Sequence, residues 1–210
     1  LSVPQGPQEK EMQLSLNRIP RDQITPAFIR ELEALIATAP REVSAANVRG
    51  VVISDYSAHT LHTHVLRGME FLAVRSAQGE LLGALLFAPP GVYSSDESTR
   101  LARSLSPAAI EVDLMVVHPK AQGRGLVSVM LDATTLTARQ LGSDHWFSYT
   151  LSSNIASLAV TAEWNRGTVF HRNGVPFTES ARVPADVPPD SIYWTKYVVS
   201  TNPRVPQGVW

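Results

Sequence analysis

The sequence of 210 residues contains no cysteine, so disulfide frameworks, thiolate zinc sites and cysteine nucleophiles are excluded. Hydrophobic runs are short, since the longest one, residues 81–88, is strand-sized and far below the ~20 residues of a membrane-spanning helix. Residues 1–10 are polar and contain Pro4 and Pro7, which is unlike a secretory signal, and the missing methionine suggests a trimmed start. We therefore expect a cytoplasmic protein.

Positive and negative charges nearly balance, because the sequence has 18 Lys and Arg residues and 19 Asp and Glu residues. A protein held to nucleic acid by phosphate contacts usually presents a basic face, so we expect no nucleic-acid partner and no membrane partner. The hydrophobic content of 44% is typical of globular domains. We predict an extended N-terminal arm over residues 1–20, a single domain over residues 21–200, and a C-terminal tail over residues 201–210.

The first half of the domain predicts helices followed by a hairpin. Thr25 and Pro26 form a cap and first-turn pair that starts a helix, and Pro40 ends it. Residues 44–67 predict further helical structure, with Asp55 as one candidate cap. Two apolar runs, 71–75 and 81–87, flank a short turn and predict an antiparallel hairpin, whereas residues 89–106 predict a long surface loop.

The second half predicts a mixed α/β sheet flanked by helices. Residues 109–117 are apolar except for Glu111 and Asp113, which indicates a central strand buried on both faces. A helical repeat begins near Leu126, and Gly142 stands where its C-cap would be. Strands at 146–149 and 192–199 follow, with a helix from near Asn154 between them. We expect core or dimer-interface positions for Tyr193, Trp194 and Tyr197, so a homodimer is one alternative.

Residues 116–125 predict an anion site. A strand stops at His118-Pro119, a short loop containing Gly123 and Gly125 follows, and a helix begins there. The first N–H groups of a helix lack partners and carry partial positive charge, and glycines allow a phosphate to come close. Lys120 and Arg124 add positive charge. Neither the nucleoside-triphosphate loop pattern nor the dinucleotide fingerprint is present.

This segment resembles the GNAT superfamily of N-acyltransferases, whose signature is Gln/Arg-x-x-Gly-x-Gly/Ala after a strand that ends in Val-x-Pro. The sequence has Val117-His-Pro119 followed by Gln122-Gly-Arg-Gly125-Leu-Val127, with Val127 where Gly or Ala is usual. The element order matches the family from about residue 24 to residue 199. The resemblance implies a central mixed sheet whose splayed strands bind pantetheine, with acetyl-CoA or another acyl-CoA as co-substrate.

The resemblance also implies which residues contact the co-substrate. The pantetheine arm would pair as an added strand with the backbone of Met115, Val116 and Val117. Asn154 would touch the same arm, unless it serves only as a helix cap. The diphosphate would be bound by Gln122, Gly123, Arg124, Gly125, Leu126 and Val127.

Glu111 and Asp113 are the candidate catalytic residues. They are two apart on one strand, so they share a face, where burial and mutual repulsion raise the pKa of a carboxyl group. In many relatives a Glu on this strand is the base. We hypothesise that Glu111 is the base and that Asp113 orients the amine. The alternative is a structural pair held by Arg100 or Arg103.

The tyrosine that is the usual general acid of the family is absent, because Thr161 and Phe170 stand at the corresponding positions. The alternatives are that water or another residue such as Tyr149 is the acid, or that the chemistry differs from that of the family. His59, His62 and His64 do not share one helical face, so we expect surface or acceptor-pocket histidines, with no metal site.

We therefore expect an N-acyltransferase that passes an acyl group, most simply acetyl, from acyl-CoA to the amine of a small metabolite or amino acid through a tetrahedral intermediate. A non-catalytic acyl-CoA-binding or sensing module is an alternative, favoured by the absent tyrosine. Carrier-protein and aminoacyl-tRNA donors are further alternatives, although the near-neutral charge counts against tRNA.

Overall fold

The computed structural model describes residues 13–39, 56–105, 108–151, 170–172, 175–176 and 194–200. These residues form eight strands and four α-helices. Their bounds are β1 Leu14–Ile19, α1 Pro26–Ala37, α2 Ala58–Leu66, β2 Glu70–Ser76, β3 Leu81–Ala88, α3 Asp96–Leu105, β4 Ile110–Val117, α4 Leu126–Gln140, β5 His145–Leu151, β6 Phe170–Arg172, β7 Val175–Pro176 and β8 Trp194–Ser200. Short 3-10 turns lie at Arg21–Gln23 and Pro119–Ala121.

The strands form an eight-stranded sheet in the order β1-β2-β3-β4-β5-β8-β6-β7. Neighbouring strands are antiparallel except β4 and β5, which run parallel. A parallel pair needs a crossover connection, and α4 supplies it. The predicted mixed α/β sheet is therefore confirmed, as is the hairpin of β2 and β3.

Helices cover both faces of the sheet. On one face, α1 and α2 bury Phe28, Leu32 and Leu61 against the sheet. On the opposite face, α4 buries Leu126 and Met130 against β2, β3, β4 and β5. Helix α1 begins as predicted, since the Thr25 hydroxyl accepts a hydrogen bond from the Phe28 N–H at 3.2 Å. Within the described residues, no helix is long and apolar enough to cross a bilayer.

Two segments differ from the prediction. Residues 14–19, assigned to an arm, form β1, an edge strand that pairs with β2 and leaves most of its side chains exposed. Main-chain pairing defines this strand, so its sequence carries little hydrophobic signal. Residues 96–105, assigned to a loop, form α3, whose few apolar residues pack beside Phe147. The abundance of serine and threonine around them hid the helical spacing.

Several predictions lie outside the described residues. These are the first part of the helical stretch predicted over 44–67, Asp55, the helix from Asn154, Tyr193, and the tail over 201–210. The helix predicted after Asp55 is α2, and its cap is Ser57 instead, whose hydroxyl accepts a hydrogen bond from the Thr60 N–H at 3.4 Å.

Candidate active site

Strands β4 and β5 begin as neighbours and then separate. Ile110–Val112 pair with Trp146–Ser148, and the pairing stops there, although β4 continues to Val117. Strand β5 meanwhile remains paired with β8 as far as Leu151. Within the described part of the chain, the β5-facing edge of residues 113–117 therefore has no partner strand. Its backbone groups can pair with an extended ligand.

A β-bulge at Asp113 coincides with this separation. Leu86 pairs with Leu114, and Phe87 pairs with Val112, so Asp113 is an extra residue on β4. A bulge bends its strand and increases the local twist, which accounts for the divergence of β4 from β5. The bulge also turns Leu114 toward α1 and α2, the side on which Asp113 meets Tyr56.

The loop between β4 and α4 is held open by two glycines. Gly123 and Gly125 have φ of 75° and 74°, a left-handed conformation that favours glycine. A Cβ added at either glycine would meet nothing within 4 Å, so both face open space. The Gln122 side chain connects the loop to the end of β4, because its Nε2 donates to the Val117 carbonyl at 3.1 Å.

The backbone N–H groups of residues 123–128 have no acceptor among the described residues. The Gln122 N–H is used within the loop, at 3.3 Å from the Pro119 carbonyl, and helical bonding resumes when the Val129 N–H donates to the Gly125 carbonyl at 3.1 Å. These open donors at the start of α4 are suited to an anion.

Arg124 is a positively charged residue of this loop that is accessible to an anion. Its side chain is exposed and forms no ion pair within the described residues. Lys120, which was expected to add charge to the anion site, pairs with Glu80 instead.

Glu111 is buried, with 1% of its surface exposed. Its carboxylate accepts hydrogen bonds from the Ser94 N–H at 2.7 Å, the Ser94 hydroxyl at 2.6 Å and the Ser98 hydroxyl at 2.6 Å. Among the described residues, neither Arg100 nor Arg103 pairs with Glu111 or Asp113, so these two arginines do not hold the carboxylates as a structural pair.

Asp113 has a different environment. The Tyr56 hydroxyl donates to its Oδ2 at 3.1 Å, and the rings of Tyr56 and His64 lie 6.0 Å apart. Burial raises the pKa of Asp113, and Glu111 raises it further, whereas His64 and the Tyr56 hydrogen bond oppose the rise. The site therefore has one carboxylate that accepts three hydrogen bonds and one carboxylate with a raised pKa.

No family model and no curated protein matches this chain. Solved structures do share its fold. The putative acetyltransferase yncA from Salmonella typhimurium, solved with acetyl-CoA, matches with a TM-score of 0.52 and 15% identity over 94% of this chain and 99% of its own. An acetyltransferase of the GNAT family from Staphylococcus aureus Mu50 matches with a TM-score of 0.54 and 13% identity over 90% of this chain and 100% of its own. This chain has the GNAT fold.

A third match shows how widely the fold is shared. The AHL synthase LasI matches with a TM-score of 0.58 and 10% identity, and the match covers 91% of each chain. Since the fold alone does not define the acceptor, the acceptor has to be inferred from the residues of the site.

The GNAT fold brings together most of the residues singled out in the sequence. Met115, Val116 and Val117 line the open edge of β4, and the loop over 122–127 follows directly. Tyr149 follows the last residue of β5 that pairs with β4. Asn154 and Thr161 lie outside the described residues.

Other residues were missed or lie apart from the site. The sequence did not identify Ser94 and Ser98 as site residues, although serines just before a helix and in its first turn are a capping signal. His59 and His62 are exposed on α2, and no group of three metal-ligating side chains occurs among the described residues.

Proposed function

We propose that this chain is an N-acyltransferase that passes an acyl group, most simply acetyl, from acyl-CoA to the amine of a small molecule. The observation that carries the proposal is the separation of β4 from β5 beside a glycine loop with open N–H groups. One feature suits an extended amide chain and the other suits a diphosphate, and acyl-CoA contains both. The Salmonella neighbour with this fold was solved with acetyl-CoA, which supports the same donor here.

In this proposal the diphosphate is bound by the N–H groups over 123–127 and by the Arg124 side chain. The pantetheine amides pair with the β4 edge at Met115, Val116 and Val117. Val127, where the family usually has Gly or Ala, contributes its N–H group, and its partly buried side chain packs beside the α4 core. Asn154 remains a predicted contact with the pantetheine arm.

We propose Asp113 as the proton acceptor for the attacking amine. An ammonium group must lose a proton before it attacks a thioester, and a base is most effective when its pKa approaches the working pH. Asp113 has a raised pKa, lies at the bulge where the strands part, and has an Oδ1 without a hydrogen-bond partner among the described residues. The departing thiolate would take a proton from water or from Tyr149.

The acceptor in this proposal is a cationic primary amine without an adjacent carboxylate. Asp113 and Glu111 are both acidic, and the hydrogen-bond donors to Glu111 are neutral serine groups, so no cation within the described segments cancels its charge. An ammonium group would be attracted to this part of the site, whereas a second carboxylate next to the amine would be repelled. Tyr56 and His64 would line the approach from the α2 side.

Coenzyme A binding tests the donor half of the proposal. Arg124→Glu should weaken binding at least tenfold by isothermal titration, and the loss should be smaller at high salt. The matched control is Arg30→Glu, which makes the same charge change at an exposed position of α1, on the opposite side of the sheet. Equal affinities for the wild type and Arg124→Glu would contradict the diphosphate site.

Thiol release from acetyl-CoA tests the acceptor half. Matched pairs that differ by one carboxylate, phenethylamine with phenylalanine and cadaverine with lysine, separate the acceptor classes. We expect a kcat/KM at least tenfold higher for the amine than for its amino acid in a pair that is turned over. Coenzyme A binding without turnover of any amine would favour a non-catalytic acyl-CoA-binding module instead.

A further inference from the structure

We infer that Glu111 is a positioning residue, which holds the start of α3 against β4 as one wall of the acceptor site, and that it is not the proton acceptor. The inference rests on the proposed function for its role in the reaction. Its structural part, the attachment of α3 through one buried carboxylate, stands on the contacts alone.

The contacts attach Glu111 to the first turn of α3. Ser94 lies two residues before the helix and donates both its N–H and its hydroxyl, and Ser98, in the first turn, donates its hydroxyl. Ser95 between them caps the helix, because its hydroxyl accepts a hydrogen bond from the Ser98 N–H at 3.1 Å. A carboxylate at a helix N-terminus is also favoured by the helix dipole.

The residues before α3 are fixed to the same face of the sheet. The Tyr93 hydroxyl donates to the Ala109 carbonyl at 3.0 Å, just before β4 begins. The Tyr93 ring lies 6.2 Å from that of Phe147 on β5. Residues 93–98 are therefore held over β4 and β5, next to the point where the strands separate.

The same contacts make Glu111 a poor base. Three donors occupy three of the roughly four lone-pair positions of its carboxylate, which leaves little capacity for a hydrogen bond from an amine. With 1% of its surface exposed, Glu111 also offers no approach to an amine. The neighbouring Asp113 is partly exposed and accepts one side-chain hydrogen bond.

Glu111 also acts on the base through its charge. Among the residues that the structure describes, the titratable groups that face Asp113 are Tyr56 and His64 from the α2 side and Glu111 on its own strand, and Glu111 raises the pKa of Asp113. The β3 residues paired around the bulge are Leu86 and Phe87, which are apolar, and Tyr149 follows the last paired residue on β5. On α3, the charged side chains of Asp96, Arg100 and Arg103 are exposed to solvent.

Two substitutions separate positioning from proton transfer. Glu111→Gln keeps the shape of the side chain, and the serine hydroxyls can reverse their roles to bond the amide, so α3 should stay attached. We expect kcat to remain within about threefold of wild type, because a missing general base typically costs ~10²–10⁴-fold. The KM for the amine should rise, because one charge that attracts the ammonium group is lost. The acid limb of the kcat/KM profile should move to lower pH, since a charge that raises the pKa of Asp113 is gone.

Glu111→Ala removes the attachment. We expect faster hydrogen–deuterium exchange over residues 94–105, with exchange in α1 unchanged, and a KM for the amine about tenfold higher. Ser98→Ala is the intermediate control, because it removes one donor and leaves the Ser94 contacts. Its exchange over the same residues should fall between those of wild type and Glu111→Ala.

Three results would overturn the inference. One is a kcat loss of a hundredfold or more in Glu111→Gln with unchanged α3 exchange, which would make Glu111 the base. Another is unchanged exchange over residues 94–105 in Glu111→Ala. The third is the absence of turnover with every amine tested, which removes the role in the reaction together with the proposed function. Hydrogen–deuterium exchange needs no substrate, so in that case it still tests whether Glu111 attaches α3 to β4.

Discussion

The hydroxyl of Tyr56 contacts both the carboxylate and the backbone carbonyl of Asp113, each at 3.1 Å, although the two residues are 57 positions apart. One phenol thus bonds the side chain and the main chain of the residue that forms the β4 bulge. The orientation of the carboxylate is thereby coupled to the bend of the strand, and both are tied to the start of α2.

Tyr56→Phe should separate packing from hydrogen bonding at this contact. The ring stays, and the loss of the hydroxyl should cost about 1 kcal/mol of unfolding free energy. Because the hydrogen bond from Tyr56 lowers the pKa of Asp113, its removal should move the acid limb of the kcat/KM profile to higher pH. Tyr93→Phe is the control, since its hydroxyl bonds the Ala109 carbonyl. It should lose similar stability without a shift in the limb.

His64→Gln should shift the same limb in the same direction for a different reason. His64 lowers the pKa of Asp113 by a favourable electrostatic interaction, so removal of the imidazole should raise that pKa. His62→Gln removes an exposed histidine from the same helix and should leave the profile unchanged. A shift to lower pH in His64→Gln, or equal shifts in both variants, would contradict the assignment of the limb to Asp113.

Asp113→Asn should lower activity and raise stability together. We expect kcat to fall ~10²–10⁴-fold if Asp113 is the base. Since the pKa of Asp113 is raised in the folded state, the folded protein binds more protons than the unfolded chain between pH 3.8 and the raised value. The stability contributed by Asp113 therefore falls as pH rises through that window.

The Asn variant should consequently unfold at a higher temperature than wild type at pH 7, and the difference should vanish below pH 3.8. Thermal unfolding across pH measures this. The control is Asp22→Asn, an equal change of charge at an exposed position. A variant that is less stable than wild type at pH 7 would show that the contacts of Asp113 outweigh its burial.

The glycine loop and the central strand could be predicted because their signals are local. Gly123 and Gly125 stand at the two positions where the loop before α4 has a left-handed backbone. The apolar run of β4 has the pattern of a buried strand. These features depend on residues close together in the sequence, so the strand and the glycine loop could be predicted before any tertiary contact was known.

The bulge and the serine contacts could not be predicted, since they depend on residues brought together by folding. Asp113 is an extra residue only relative to the register of Leu86 and Phe87 on β3. Glu111 meets Ser94 and Ser98 because α3 packs on β4, and α3 was itself hidden among polar residues. The proposed roles of the two carboxylates rest on these contacts. The sequence offered only their shared face and the resemblance to relatives with a Glu base, which favoured Glu111.

Gly83 on β3 sets how closely α4 packs on the sheet. A Cβ added there would lie 3.4 Å from the Met130 sulfur, 3.5 Å from the Val116 carbonyl oxygen and 3.6 Å from the Val74 Cβ. These are ordinary contact distances, so Gly83→Ala should be tolerated, and the smaller entropy of the unfolded chain can raise stability by ~0.4–1 kcal/mol.

Gly83→Val should behave differently, because its two further methyl groups need space that Met130 and Val116 already occupy. Overpacking of this kind costs ~1–3 kcal/mol. The displacement of Met130 should also shift the first turns of α4 and weaken coenzyme A binding, whereas Gly83→Ala should leave the affinity unchanged. Denaturant unfolding and isothermal titration measure the two effects.

The double variant Gly83→Val/Met130→Ala tests whether Met130 transmits the effect. Met130→Ala alone should cost ~2–5 kcal/mol through the cavity it leaves. In the double variant the valine methyls fill part of that cavity, so the combined loss should be smaller than the sum of the single losses. Coenzyme A affinity should then recover toward wild type, because α4 can return to its position. Additive losses would instead locate the conflict at the Val116 carbonyl, on β4 itself.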